Sequence, residues 1–365
     1  MKKIIYIMST LQKRGPVNVL FNLISNVDRT KYIPYIITLS KEPQNSLIQD
    51  FKKLNIEIVS LKLNRIFSFF YGPIKLKKIV NEIKPDVIHA HCFRSILFSA
   101  LALNKYKKIS TIHCDYKIYF QMFYGKLLGY IMHLLMSYSL SKMNKNICCS
   151  KELKNILNIK NKKIIFDYVD NGIDTDFFKP TRNKIKLRKK LNLPTEKKIF
   201  IWCGNMTEVK FPMILAKAIK ELKNPNLYYI FCGSRGPLLE ICKKELENNK
   251  NVLFTGYVNN IKDYLQASDF FISTSLSEGL PNGVLEALAC GLPCILSDIP
   301  QHKYILENTE NVGLFFETKN MEYLKEKINE ILKIDYGLYS QNAISLIQNK
   351  FSSKLMSNRY QKYYE

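Results

Sequence analysis

Glu278 and Glu286 stand eight positions apart in the stretch SLSEGLPNGVLEALACGLP, residues 275 to 293, with a Pro-Asn-Gly turn between them. On one continuous helix, eight steps of about 100° leave the second carboxylate roughly 80° round from the first, so the two acids would not share a face. A helix that begins at the turn resolves this. Pro281 and Gly283 mark the turn and Asn282 suits the N-cap, which leaves Glu278 in the preceding loop and Glu286 one turn inside the helix. A helix start lined by Gly279, Asn282 and Gly283 offers backbone N–H groups and the positive end of the dipole, a setting that favours a phosphate. Carboxylates beside that phosphate would repel it, so they must point to its two sides, where neutral hydroxyls are what they can hold. A diphosphate flanked by two sets of hydroxyls describes a nucleotide sugar, with sugar hydroxyls on one acid and ribose hydroxyls on the other.

The surrounding pattern is that of an α/β protein. KIIYIM, YIITL, IEIVSL, DVIHAH, ISTIH, KNICC and KIIFDYV have the β-branched richness of buried parallel strands, and the intervals between them are long enough for crossover helices. The alternation breaks at DNGIDTDFFKPTRNKIKLRKKLNLPTEK, which is polar, charged and punctuated by proline. It restarts at KIFIWCG and continues through LYYIFCG, NVLFTG, DFFIST, PCILS and VGLFF. The expected organisation is a doubly wound domain over 1–170, a linker over 171–197, a second doubly wound domain over 198–345, and a C-terminal helix over 346–365 packing one face on the body. Two such domains in series should face a cleft at the carboxyl ends of their strands.

Composition sets the remaining bounds. At 365 residues with 47% hydrophobic content, the chain can bury two cores and is not disordered. The net charge of +24 is uneven, because residues 1–180 carry +17 of it. Such a field favours an anionic membrane surface or another polyanion, although the lysines are spread along the chain as a solvated surface would have them. Nucleic acid is not the expected partner, since RNA-binding aromatic submotifs, a zinc module and a basic helix-turn-helix are missing. The nine cysteines form no zinc pattern and fit reduced, buried thiols in a cytoplasmic protein. MKKIIYIMST reads as a first strand, and no stretch is long enough for a clean membrane span.

With these residues in place, the chain resembles the retaining GT-B glycosyltransferases of family 4, of the bacterial surface-polysaccharide type. SEGLPNGVLEALACGLPCILSDIP looks like their signature, with Glu278 and Glu286 matching its E-x7-E spacing and flanks. NGIDTDFFKP at 171–180, FCGSRGPLLE at 231–240 and NVLFTGYV at 251–258, ending at Val258, add to the resemblance. GPVNVLFNLI from Gly15, DVIHAH ending at His91 and STIH ending at His113 extend it more loosely into the first half.

The resemblance implies two Rossmann-like doubly wound domains and transfer of a hexose or N-acetylhexosamine from a UDP-sugar. The implied acceptor is a saccharide, lipid-linked, in capsule, O-antigen or exopolysaccharide synthesis. Glu278, Lys210 and His113 would be the catalytic residues. Donor binding would fall to Gly15, Asn205, Lys210, Arg235, Val258, Glu278, Gly279, Leu280, Pro281, Asn282, Gly283 and Glu286. Lys210 would meet the charge that develops on the leaving diphosphate. No metal or other cofactor would be needed, in keeping with the lack of a D-x-D at any first-domain strand end. Family members commonly carry arginine after the glycine of this loop, where Asn205 here supplies hydrogen bonds without charge. That departure leaves a catalytically weakened subunit acting on a partner as the alternative, with an enzyme resembling the UDP-N-acetylglucosamine 2-epimerases ranked below it.

Two further features stand outside the signature. Residues 115–142, DYKIYFQMFYGKLLGYIMHLLMSYSLSK, repeat apolar residues at helical spacing with a thin polar face. They read either as a wholly buried helix or as one lying in the membrane interface, with tyrosines at headgroup depth and Lys117, Lys126 and Lys142 reaching anionic lipid. The resemblance to enzymes working on lipid carriers favours the second, and with it a place at the inner face of the plasma membrane. Among the other histidines, His133 reads as a packing residue, His302 as a surface one, and His89 and His91 as shaping a strand end.

Overall fold

The computed structural model describes residues 1–64 and 67–365, which form two compact units, Met1–Gly172 with Ser353–Glu365, and Ile173–Ser352. The first unit holds strands β1 (Lys2–Met8), β2 (Tyr32–Thr38), β3 (Glu57–Ser60), β4 (Val87–His91), β5 (Lys107–Ile112), β6 (Lys145–Cys148) and β7 (Phe166–Tyr168). Its helices are α1 (Gly15–Ser25), α2 (Ile48–Lys53), α3 (Ser68–Ile83), α4 (Phe93–Ala102), α5 (Tyr116–Ser141) and α6 (Lys151–Lys160). The second unit opens with α7 (Lys184–Lys190) and continues through β8 (Lys198–Cys203), α8 (Pro212–Leu222), β9 (Leu227–Cys232), α9 (Leu239–Glu245), β10 (Val252–Gly256) and α10 (Ile261–Ala267). It closes with β11 (Phe270–Ser273), α11 (Asn282–Ala289), β12 (Cys294–Ser297), α12 (Pro300–Ile305), β13 (Gly313–Phe316), α13 (Met321–Ile331) and α14 (Tyr336–Lys350). The chain then returns to the first unit as α15 (Ser353–Tyr364).

Both sheets are parallel throughout, in the orders β3-β2-β1-β4-β5-β6-β7 and β10-β9-β8-β11-β12-β13. Parallel strands must be covered on both faces, and the side chains of β1 divide accordingly. Ile4, Tyr6 and Met8 pack with α1, α2 and α15, whereas Ile5 and Ile7 pack with α3 and α4. In the second unit, Phe200 and Trp202 of β8 anchor a core closed by α8, α9 and α13. Strand order reverses between β1 and β4 in one sheet and between β8 and β11 in the other, and loops leaving such a pair of strands diverge to open a crevice.

Three segments differ from the sequence expectation. The 171–197 stretch is not a bare connection, because α7 packs into the second unit through Arg188. That buried guanidinium meets Asp269 Oδ2 at 2.6 Å and the carbonyls of Ala267, Thr195 and Lys197 at 2.8, 3.1 and 3.1 Å. The single helix expected over 346–365 is divided at Phe351 and Ser352 into the end of α14, in the second unit, and α15, in the first. On α15, Tyr360 and Tyr364 are fully buried, and the Tyr364 hydroxyl lies 2.8 Å from His89 Nδ1.

The third is α5, which is broken where one continuous helix was expected, and whose exposed apolar side chains exclude the wholly buried reading. Gly125 has φ 78° and ψ 175°, a conformation only glycine adopts easily, and it breaks the helix into two halves. A Cβ on Gly129 would stand 2.7 Å from the backbone of Phe120 and Gln121, and the Tyr116 ring stacks on His133 at 5.5 Å. The halves therefore fold back on one another as a hairpin. His133 packs in this hairpin, half-buried, as a packing residue should.

The chain's only tryptophan, Trp202, lies in the second unit, so its fluorescence reports unfolding there. Replacing Arg188 by Leu strips Asp269 of its closest partner inside the fold, and urea unfolding followed by Trp202 should show a loss of about 3 kcal/mol. A loss well under 1 kcal/mol would show that α7 merely lies on the surface.

Candidate active site

The reversal between β8 and β11 brings together two loops. Residues 204–211 follow β8 and residues 274–281 follow β11, and Leu276 N donates to Val209 O at 2.7 Å to tie them. Thr274 secures the same junction, since its hydroxyl accepts from Trp202 Nε1 at 3.1 Å and donates to the Lys210 carbonyl at 2.9 Å. Phe211, with φ 46°, turns the chain into α8 and sets the direction in which Lys210 leaves.

From these anchored loops the Lys210 ammonium meets the Glu278 carboxylate in an ion pair, and Ser275 Oγ donates to the same carboxylate oxygen at 2.7 Å. The Glu278 side chain is 10% exposed and that of Lys210 is 28% exposed. Burial pushes the Glu278 carboxyl up, but the Lys210 ammonium and the Ser275 hydroxyl outweigh it and hold the acid below its ordinary range. Glu278 is therefore ionised at neutral pH, and both partners keep an open side.

Behind Glu278 lies a histidine that the sequence reading placed on the surface. His302 is fully buried, a correction that follows from the polar ends of β11 and β12. Its Nδ1 donates to the Ser297 carbonyl at 2.8 Å, so Nε2 is the unprotonated nitrogen and accepts from Ser273 Oγ at 3.1 Å. Ser297 Oγ in turn donates to the Ser275 carbonyl at 2.6 Å, which fixes the residue that holds Glu278. Burial lowers the His302 pKa to about 4, so the imidazole is a neutral support. The serines of STSLS, polar residues at the end of an apolar strand, were the available signal for this network.

The other donor-site residues of the second unit gather around the pair. The N-cap position of α11 is held by Pro281, which corrects the expectation for Asn282. Proline has no N–H, and Asn282 is the first helical residue. Leu280 and Pro281 are buried, and a Cβ on Gly283 would stand 3.7 Å from the Phe271 ring and 4.0 Å from Cys203, so the helix start lies against the ends of β8 and β11. Glu278 sits in the loop and Glu286 is half-buried inside the helix, where its charge, after burial and Cys232, helps to raise the Cys203 thiol.

Gly233, after β9, could carry no side chain, because its Cβ would fall 1.8 Å from the Gly204 carbonyl. This approach and a bond from Met206 N to the Arg235 carbonyl at 2.6 Å bring Arg235 beside Asn205, both side chains being exposed. Arg235 also acts electrostatically on Tyr257, whose neighbour Val258 is half-buried in the loop after β10.

Gly15 and His113 belong to the first unit. Gly15 opens α1 after the β1 loop, and Pro16 behind it lacks only an N–H that the first turn does not use. His113 follows β5, with its Nε2 3.3 Å from His91 Nδ1 and its pKa lowered to about 4 by burial. His91 and His89 are fully buried, and His89 is held between Tyr364 and Thr111. Burial lowers both of their pKa values, that of His89 to about 3.

Two parallel Rossmann-like sheets in one chain, the second carrying a cation and a carboxylate where its strand order reverses, are the architecture of the GT-B glycosyltransferases. Residues 14–177 match the model for Glycosyltransferase Family 4, and residues 183–347 match that for Glycosyl transferases group 1. The chain belongs to the family 4 GT-B glycosyltransferases.

Among its relatives is the UDP-Gal:alpha-D-GlcNAc-diphosphoundecaprenol alpha-1,3-galactosyltransferase of Escherichia coli, 27% identical over 76% of this chain and 75% of that protein. The O-antigen biosynthesis glycosyltransferase WclY of Escherichia coli is 26% identical over 99% of this chain and 98% of its own length. Among solved structures, HepE of Anabaena in complex with UDP-glucose superposes with a TM-score of 0.82 at 16% identity, over 99% of both chains.

His302 is the one histidine of the second unit, which gives the buried network a measurable signature. Its folded pKa of about 4 lies below the ordinary 6.5, so between those values the unfolded chain binds the proton and the folded one does not. The stability it contributes is present above pH 6.5 and is lost as pH falls toward 4. Urea unfolding read from Trp202 should lose about 2 kcal/mol between pH 6.5 and 4.5, and His302→Asn should flatten that slope. An unchanged slope in the variant would mean that the imidazole is not held neutral against Ser297.

Proposed function

We propose that the protein moves a hexose or N-acetylhexosamine from a UDP-sugar, with retention of anomeric configuration, to a lipid-linked saccharide acceptor in the synthesis of a capsule, O-antigen or exopolysaccharide. The observation that carries this reading is the Lys210–Glu278 pair at the strand reversal, beside the start of α11. When the glycosidic bond breaks, charge accumulates on the departing diphosphate. The Lys210 ammonium and the dipole of α11 meet that charge where other enzymes use a divalent cation, so the reaction proceeds without metal. Arg235, next to Asn205, adds the guanidinium that the asparagine lacks.

Glu278 is ionised and acceptor-only, and it holds a hydroxyl of the transferred sugar beside the cation. Glu286, deeper along the helix, takes the ribose hydroxyls. Gly279, Leu280, Pro281, Asn282 and Gly283 shape the backbone between them, Val258 borders the nucleotide, and Gly15 admits close approach of the diphosphate. His113 is neutral at pH 7 and offers a ring nitrogen to the transferred sugar or the acceptor. Retention rests on the glutamate signature. The UDP-sugar and the lipid-linked acceptor are supported by the Escherichia coli relative that uses UDP-Gal and a diphosphoundecaprenol acceptor, and surface-glycan synthesis by the O-antigen relative. With a UDP-sugar donor, the proposed reaction takes place on the cytoplasmic side of the membrane.

Nucleotide release from a panel of UDP-, GDP- and ADP-sugars, with the anomeric configuration of the product read by NMR, tests the reading. UDP-sugars should be turned over with retention, and Lys210→Ala and Glu278→Ala should each lower the rate on the order of 100-fold or more. Unchanged turnover in either variant, or an inverted product, would refute the mechanism.

A further inference from the structure

The α5 hairpin leaves an apolar surface that the first unit does not cover. Within residues 116–141 only Tyr116, Phe120, Gly129, Met136, Ser139 and Leu140 are buried, while twelve large hydrophobic side chains are exposed. Exposure is greatest around the bend, with Phe123 at 56%, Tyr124 at 49%, Leu127 at 78% and Leu128 at 50%. Contiguous apolar surface on this scale marks an interaction site. It extends sideways, because α5 packs on α4 through Phe120 and Phe93, and α4 packs on α3 through Phe98 and Phe69. On α3, Phe70 and Ile74 are 81% and 71% exposed.

Charge identifies the occupant. Residues 116–141 contain no aspartate or glutamate, and Lys117 and Lys126 are their only formal charges. The acid just before them, Asp115, is engaged by Lys160 at 2.5 Å. A second copy would bring the same basic surface against itself, inside a chain of net charge +24, and like charges oppose that contact. An anionic bilayer surface complements both the lysines and the apolar tip. Tyr119, Tyr124, Tyr130 and Tyr138 have the amphipathic rings that settle at headgroup depth. Among the described residues no helix is long and apolar enough to cross a membrane, so the fitting mode is interfacial.

We propose that the α5 hairpin is a membrane-docking prong, which inserts Phe123, Tyr124, Leu127 and Leu128 at the acyl boundary of an anionic bilayer while Lys117 and Lys126 meet its headgroups. The bend at Gly125 serves this by presenting the tip of two antiparallel segments instead of one helix lying flat. The prong deepens the proposed function by bringing the enzyme to a lipid-linked acceptor, yet its docking does not depend on the donor chemistry.

Flotation of the full chain with phosphatidylcholine vesicles, with and without phosphatidylglycerol, tests this. Binding should require phosphatidylglycerol and weaken with salt, and Leu127→Glu combined with Leu128→Glu should lower it on the order of tenfold or more. Lys126→Glu, at an exposed position, should weaken it in the same direction. Nucleotide release with a water-soluble acceptor and the midpoint of thermal unfolding read by circular dichroism, which follows the helices of both units, should be unchanged in these variants, which separates loss of docking from loss of fold or catalysis. Failure of the wild-type chain to float with anionic vesicles would overturn the proposal, as would undiminished flotation of the double variant. A dimer that the double variant abolishes, with no vesicle binding, would assign the surface to a second copy instead.

Discussion

A carboxylate held out of water must find a cation or take up a proton, and Glu278 has found Lys210. The rest of the second unit can be read as the means of keeping these two groups in contact while leaving one side of each open. Parallel order around β8 and β11 creates the divergence from which the loops project, and Trp202, Thr274 and the Leu276–Val209 bond hold the loops where they diverge. A lysine and a glutamate separated by 68 positions in sequence thereby share one hydrogen bond. Under the proposed function this pair is poised for exchange, with a diphosphate drawing the ammonium and a sugar hydroxyl satisfying the carboxylate, so that the internal ion pair is replaced without stranding either charge.

Support for the pair runs inward through neutral groups. Ser275 bonds Glu278, Ser297 bonds the Ser275 carbonyl, and His302 bonds both Ser297 and Ser273. A charged imidazole at that place would compete with Lys210 for the carboxylate, and burial prevents it. In the first unit, buried rings serve a different purpose. His89, Thr111, Tyr360 and Tyr364 hydrogen-bond α15 onto β4 and β5, so the last helix of the chain is held by polar contacts within an apolar setting.

Much of this was legible in the sequence, because the signals were local. The alternation of β-branched runs and helical intervals gave two doubly wound sheets, and the Pro-Asn-Gly turn placed Glu278 in a loop and Glu286 in a helix. What the sequence could not reveal depended on tertiary neighbours. His302, between Gln301 and Lys303, has the local look of a surface residue, and only the packing of α12 against the ends of β11 and β12 buries it. Arg188, in a run of basic residues, gave no hint that it turns inward to Asp269, which Lys184 of the same helix also reaches. The apolar periodicity of residues 116–141 fixed a helix but not its fold-back, which required the close approach at Gly129 to be seen.

The division of labour between ammonium and carboxylate is the centre of this picture, and calorimetry of two ligands on two variants resolves it. If Lys210 meets phosphate and Glu278 meets sugar, Lys210→Met will weaken UDP and the UDP-sugar alike, whereas Glu278→Gln will weaken the UDP-sugar and leave UDP as tight or tighter. Equal weakening of both ligands by Glu278→Gln would contradict it, for the carboxylate would then be acting through the fold and not on the sugar.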